Sequence, residues 1–193
     1  MNTNTADSFD AFSPELIAEI FSYLPVRDVC QCSLVSQQWG AISSSEHLWR
    51  NLCKEAWKGK KGWSGVAQLS VDQVASTLIS KNTLPAEKLA FSGHASWKLW
   101  FIVSHKDSQR TSVTTDDVFG DWILHIGINQ KCDPIRTRFE SDFSFFCENT
   151  GALKWEVVGN TIKLPDSPPP LRVKRTANWG WKLHCPYSAF YQV

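Results

Sequence analysis

Ser13-Pro14-Glu15-Leu16-Ile17-Ala18-Glu19-Ile20-Phe21-Ser22-Tyr23-Leu24-Pro25 opens the stretch that decides how this chain is read. It continues through Val35-Ser36-Gln37-Gln38-Trp39 to Leu48-Trp49-Arg50-Asn51-Leu52-Cys53. Ser13 offers a side-chain acceptor just before Pro14, whose fixed φ suits a first helical turn. At ~100° per residue, Leu16, Ile17, Ile20, Phe21 and Leu24 fall on one arc, with Glu15, Glu19 and Ser22 opposite. Pro25 cannot continue the helix and disfavours helical geometry at Leu24. The apolar arc spans roughly 140°, wide for about three turns set against two small neighbours, so part of it is expected to meet another chain.

A second helix is expected near Val26 to Val35, where the small residues Cys30, Cys32 and Ser33 permit close approach. Ser43 and Glu46 fit a capping box for a third helix, along which Leu48, Trp49, Leu52, Cys53, Ala56 and Trp57 recur at helical spacing. Trp39 is placed in the connection, plugging the gap between helices. Residues 10 to 57 alone are few for an independent core, so support from a partner or a following domain is expected.

These residues, in this order, resemble the F-box, a three-helix module that docks on the Skp adaptor of cullin-based ubiquitin ligases. The likeness covers about a fifth of the chain, and Ser13 stands where Leu usually precedes the Pro, with Phe12 beside it as an apolar substitute. The resemblance implies that Pro14, Leu16, Ile17, Ile20, Phe21 and Leu24 contact the adaptor. Val35, Trp39, Leu48 and Trp49 would be shared between core and interface. It implies a substrate receptor with the Skp adaptor as direct partner, a cullin as indirect partner, an unidentified protein target and no catalytic residue. Two alternatives stand beside it: an adaptor-bound scaffold outside a cullin ligase, and glycan or small-ligand binding by the C-terminal region.

After residue 57, Lys58-Gly59-Lys60-Lys61-Gly62 reads as a solvated helix end, with cations at the negative pole and glycines to break the helix. Ser70 and Gln73 form a second capping box, opening a short helix with Val71, Val74, Ala75, Leu78 and Ile79 inward. Residues 80 to 92 read as a loop. The segment His94 to His105 suits a buried helix better than a strand, because its charged flank continues through Lys106.

Beyond Thr115 the period changes to two. The odd positions from Ile135 to Cys147 are expected to face inward along one half-buried strand. Trp122, Leu124, Ile126 and Ile128 alternate likewise, as do Leu153, Trp155 and Val157. Gly159-Asn160 is a two-residue hairpin signal, and Pro168-Pro169-Pro170 demands a rigid connection or an edge. The fold class expected is therefore α+β: a helical module over 11–57, a helical linker over 58–115, and five to seven antiparallel strands over 116–193. Those strands would make a small sandwich or a partly closed barrel, preceded by a disordered lead at 1–10. No period of twenty to fifty residues recurs, which excludes the usual repeat receptors.

Charge is balanced: the formal net is +1 over 193 residues. That argues against nucleic acid as a partner. The longest apolar run, near Leu99 to Val103, is too short to cross a bilayer, so no membrane partner is expected. Cys30, Cys32 and Cys53 lie on helical faces expected to be buried, which suits reduced thiols in cytoplasm or nucleus. Neither a metal nor any other cofactor is expected: Cys30-x-Cys32 lacks zinc-knuckle spacing, and nothing in the spacing of His125, Cys132, Cys147 and His184 brings them together. Two recognition features remain. Arg136 and Arg138 share one strand face, and Arg172 and Lys174 another; if those strands are neighbours, they form one basic patch for an acidic or phosphorylated target. Trp179 and Trp181, flanking Gly180, suit an aromatic platform or a core plug.

Overall fold

The computed structural model describes residues 12–70, 73–74, 96–127, 133–148, 153–165 and 169–193. The expectations for residues 1–10, for Val71, Ala75, Leu78 and Ile79, for the 80–92 loop, and for Ile128, Cys132 and Pro168 lie outside the described residues. The chain divides into two compact units, one around 12–58, 63–74 and 96–104, the other around 59–62 and 105–193. Residues 58–115, expected as a linker, are shared between the two.

Helix α1 runs Pro14–Ser22, α2 Val26–Cys32, α3 Gln37–Ser43 and α4 Glu46–Ala56. Serines start three of the four. Ser13, Ser36 and Ser45 are extended residues whose hydroxyls accept from Leu16, Trp39 and Leu48 N–H respectively. The second helix stops at Cys32, short of the expected Val35, and Ser36 starts an additional α3 in the expected connection, so that Trp39 sits on a helix. The α4 cap moves as well. Ser43 is buried in the last turn of α3, where its hydroxyl donates to Gly40 O at 3.1 Å, so Ser45 is the residue free to cap. Helix α5, Trp97–Ser108, forms where a helix was expected, and its first N–H is accepted by Glu46 Oε2 at 2.9 Å.

Tryptophans dominate this core. Trp49 donates Nε1–H to Ser43 O at 2.8 Å, and Trp57 donates to Ser104 Oγ at 2.7 Å. Trp57 also packs its ring at 4.9 Å from Trp63 and 6.2 Å from Trp97. Trp49 and Trp57 thereby bury their area while their polar edges keep a partner.

Cys53 lies in the same interior and donates to Trp97 O at 3.4 Å; burial, with Glu46 adding a smaller push, takes its thiol up to about 12. Cys30, by contrast, is exposed, against expectation. Iodoacetamide at pH 8 is accordingly expected to alkylate Cys30 in the native chain and Cys53 only after denaturation, as read by peptide mass spectrometry. Equal labelling of the two would refute this picture of the core.

Helix α6, Thr115–Val118, leads into nine strands: β1 Gly120–Ile126, β2 Ile135–Phe139, β3 Ser144–Cys147, β4 Leu153–Lys154, β5 Glu156–Val158, β6 Thr161–Lys163, β7 Leu171–Arg175, β8 Trp181–Cys185 and β9 Ser188–Gln192. All belong to one antiparallel sheet ordered β4-β3-β2-β1-β9-β8-β7-β6-β5. Its two end strands, β4 and β5, are separated in sequence by Trp155 alone, so the sheet curls until its ends nearly meet. The result is a nearly closed up-and-down barrel and not a sandwich. Strands exceed the expected five to seven because two expected single runs are interrupted.

The run from Ile135 to Cys147 is one of these. Asp142 accepts from Ser144 N and Oγ at 2.8 and 2.7 Å, and Phe143 takes a φ of 64°, which turns the chain between β2 and β3. Ser141 and Phe143 are therefore exposed and Ser144 is buried, contrary to the expected parity. Phe139 pairs with Phe145 across the turn, and both face the interior. The Gly159–Asn160 hairpin forms as expected, with Val158 opposite Thr161.

The interior is aromatic. Phe139 lies 4.8 to 6.1 Å from Trp122, Phe145, Trp155 and Phe190, mostly edge to face. A barrel this small is filled by such side chains. Beside the β7–β8 turn, Arg110 grips Asp117 through both terminal nitrogens at 2.8 and 2.7 Å and Asp107 through Nε at 2.8 Å. Arg175 reaches Asp107 at 2.7 Å, and both guanidiniums stand over Trp181. The segment at 59–62 is more than a solvated helix end. Lys60 Nζ donates to Ala177 O at 2.9 Å, and the Lys61 N–H donates to Asn178 O at 2.7 Å.

Candidate functional site

Two adjacent apolar stripes run along α1, and only one is covered. Ile17 and Phe21, each 2% exposed, turn into the helical core, where Phe21 meets Trp39 edge-on at 5.3 Å. One position away on the helix surface, Leu16 and Ile20 remain 45% and 43% exposed, flanked by Phe12 and by Tyr23 at 78%. Spacings of four and three residues place Leu16, Ile20 and Tyr23 on one line, with Phe12 just ahead of the N-cap. Leu34 and Val35, in the turn after α2, are also solvent-facing at 85% and 64%. Pro14 is exposed and Leu24 half-buried. Apolar side chains grouped this way on a short helical module are the kind of surface whose burial would release ordered water.

The residues expected to contact a partner therefore separate into two sets. Pro14, Leu16, Ile20 and Val35 are accessible. Ile17, Phe21, Leu48 and Trp49 are enclosed in the helical core, and Trp39 is partly buried against Phe21. Tyr23 and Leu34 were not singled out as contacts, although a three-residue step beyond Ile20 would have found Tyr23; Phe12, expected as the apolar substitute beside Ser13, is exposed.

The second expected surface, on the barrel, is corrected. Arg136 and Arg138 lie on β2, Arg172 and Lys174 on β7, and β1, β9 and β8 intervene. They form no single patch, because hairpin-connected strands joined through a β1–β9 pairing put β2 and β7 on different parts of the wall. Arg138 is already held by Glu140 at 2.7 Å and Asp121 at 3.5 Å. What Arg172 and Lys174 do meet is β8: Arg172 stands opposite His184 and Lys174 opposite Lys182. Sequence reasoning missed Lys182 and His184, which alternate about Leu183; the short turn after Arg175 is the signal that would have paired them.

Trp179 and Trp181 make no platform. Trp181 is buried in the barrel wall beneath two guanidiniums, whereas Trp179 sits in the preceding turn at a φ of 64° with Lys60 Nζ 5.5 Å above its ring. An open depression of about 480 Å³ lies by Trp155, Lys154, Lys163 and Pro170. Among the described residues, no three His, Cys, Asp or Glu side chains come together as metal ligands, and no helix is long and apolar enough to cross a membrane.

Residues 14–55 match the F-box-like family model. The chain is 33% identical over 61 residues to F-box/LRR-repeat protein 5 of Xenopus laevis, covering 32% of this chain and 9% of that protein. It is 37% identical over 54 residues to F-box/LRR-repeat protein 5 of Bos taurus, covering 28% of this chain and 8% of that protein. The chain thus spans about a tenth of the length of these curated relatives. No solved structure gives a significant match.

Proposed function

We propose, from the premise that residues 14–55 form an F-box-like domain, that this chain is the substrate-recognition subunit of a Skp–cullin–F-box ubiquitin ligase. In this reading the Skp adaptor seats on α1 and the turn after α2, a cullin is reached through the adaptor, and the barrel captures a target protein in cytoplasm or nucleus. The chain contributes no catalytic group. Its effect is to hold target lysines at high effective concentration beside the ubiquitin-loading machinery.

The observation that carries this reading is the coincidence of the matched segment with the exposed line Leu16, Ile20 and Tyr23. The relatives' own names speak only for the F-box portion, because the likeness covers about a third of this chain. The filled barrel interior and the separated Trp179 and Trp181 lend nothing to a glycan or small-ligand reading.

The decisive experiment is affinity purification of the whole chain from cells, with and without proteasome inhibition, followed by probing for the Skp adaptor and for cullin. Recovery of both is the expected result. Adaptor without cullin would select a scaffold outside the ligase, and neither would overturn the proposal.

A further inference from the structure

We propose that the outer face of the β7–β8 ladder, formed by Arg172, Lys174, Lys182 and His184, takes an extended acidic segment of the target with Asp or Glu at alternate positions. This deepens the receptor reading and rests on it for the word target.

Register makes the cluster. Lys174 lies directly opposite Lys182, so like charges face one another across one ladder, and Arg172 lies opposite His184 beside them. Such pairs weaken a sheet, and nothing in the barrel's own packing requires them, since Leu171, Val173, Trp181 and Leu183 supply the inward face. Elsewhere on the outer wall Arg138 is answered by Glu140, Lys154 by Asp142 and Lys163 by Glu156, whereas the isolated Arg136 is not ion-paired among the described residues. Among the described residues, Arg172, Lys174 and Lys182 make no ion pair. The field is felt at His184, which burial first, then Lys182, Arg172 and Lys174, hold below the usual imidazole range. The same row continues through Tyr191 on β9 and Ile123 on β1 to Arg136 on β2.

The geometry favours a polypeptide. Alternate residues on a strand are about 6.8 Å apart, so an extended segment with a carboxylate at every second residue is commensurate with Arg172 and Lys174 on one strand and His184 and Lys182 on the next. Arginine adds bidentate carboxylate geometry. Single-stranded nucleic acid would need open aromatic faces. Tyr191, the aromatic on this row, already has Lys182 Nζ 4.9 Å over its ring and His125 against it at 5.4 Å.

The test uses the full chain and fluorescence anisotropy of a labelled (Glu-Ser)₆ peptide, its Gln-Ser counterpart, a phosphoserine peptide and a single-stranded oligonucleotide of equal charge. The Glu peptide is expected to bind, to weaken at least tenfold with R172E/K182E, and to weaken with salt, while R138E and K163E change binding less than threefold. Failure of the wild-type chain to bind the Glu peptide, or indifference to R172E/K182E with a native circular dichroism spectrum, would overturn the proposal. So would tenfold tighter binding of the phosphoserine peptide or the oligonucleotide. Adaptor capture, measured on the same preparations, reports separately on the receptor reading, because none of these substitutions lies in residues 14–55.

Discussion

Replacing Leu16 and Ile20 together by Asp is expected to abolish capture of the Skp adaptor while leaving the chain folded. Both side chains are more than two-fifths exposed in the free chain, so a carboxylate at either position stays hydrated and the helical core loses little. In a complex the same positions become an apolar contact, and an unpaired charge there costs several kcal/mol. At about 1.4 kcal/mol per factor of ten, the pair should weaken binding by at least about a hundredfold. Quantitative pull-down with purified adaptor, beside helical circular dichroism of each variant, reads both quantities. Undiminished capture would remove the basis of the F-box reading. Substituting Ile17 or Phe21 would not be informative, because these two hold α1 to the core and their loss would unfold the module.

Asp107→Ala is expected to be among the most destabilising single changes in the barrel unit. Asp107 receives Arg110 and Arg175 on its two oxygens, and its own side chain is 10% exposed, with Arg175 at 13%. Removing one carboxylate leaves a largely enclosed guanidinium unpaired over Trp181, a loss of about 3–5 kcal/mol. For a protein of this size that corresponds to a fall in Tm of roughly 10 °C. Asp107→Ala combined with Arg175→Met should recover part of the loss, because the second change removes the stranded charge. A calorimetric transition unchanged in Asp107→Ala would show that the network carries no weight.

The same network gives a pH signature. Burial pushes the Asp117 carboxyl up, but hydrogen bonds from Arg110 and Thr114 and the Arg110 charge outweigh it and hold the group below the usual carboxylate range. A carboxyl depressed in the folded state contributes stability that is fully present above its unfolded value of ~3.9 and is lost as pH falls through the folded value. Thermal stability of the chain should therefore decline through the acid range below pH 5, and Asp117→Asn should flatten that decline while lowering the plateau at pH 7.

Local signals in the sequence were legible where chemistry and neighbours in the chain decide the outcome. Ser13-Pro14 and Pro25 bracket α1, and Gly159-Asn160 makes its hairpin without reference to anything distant. Period-two alternation found the inward residues of β2, β7 and β8 and Trp122 and Leu124 of β1, but not the end of β1, where Ile126 is exposed. The break at Asp142 was hidden because Phe139 and Phe145 keep the same parity on either side of the turn, so the alternation passes through as if uninterrupted. Which of two adjacent stripes on α1 faces out was equally hidden, since it depends on where α3 and α4 pack. The expected single basic patch failed for a related reason: whether Arg136 and Arg172 are neighbours is settled by strand order, and strand order here is set by pairing of β1 with β9, far apart in sequence.

That pairing also sets a timetable. β1 finds β2 soon after both leave the ribosome, yet its other edge has no strand to join until residues 188–192 are made. Until then Trp122 and Leu124 border an open ladder, the kind of edge that recruits other chains. Contacts between elements so distant in sequence form slowly even once both are present. The helical unit, whose side-chain hydrogen-bond partners among the described residues all lie before residue 105, can be complete while the barrel is still an unclosed sheet. Chaperone dependence should therefore fall on the C-terminal half, and truncations that remove β9 should aggregate while leaving the helical module native.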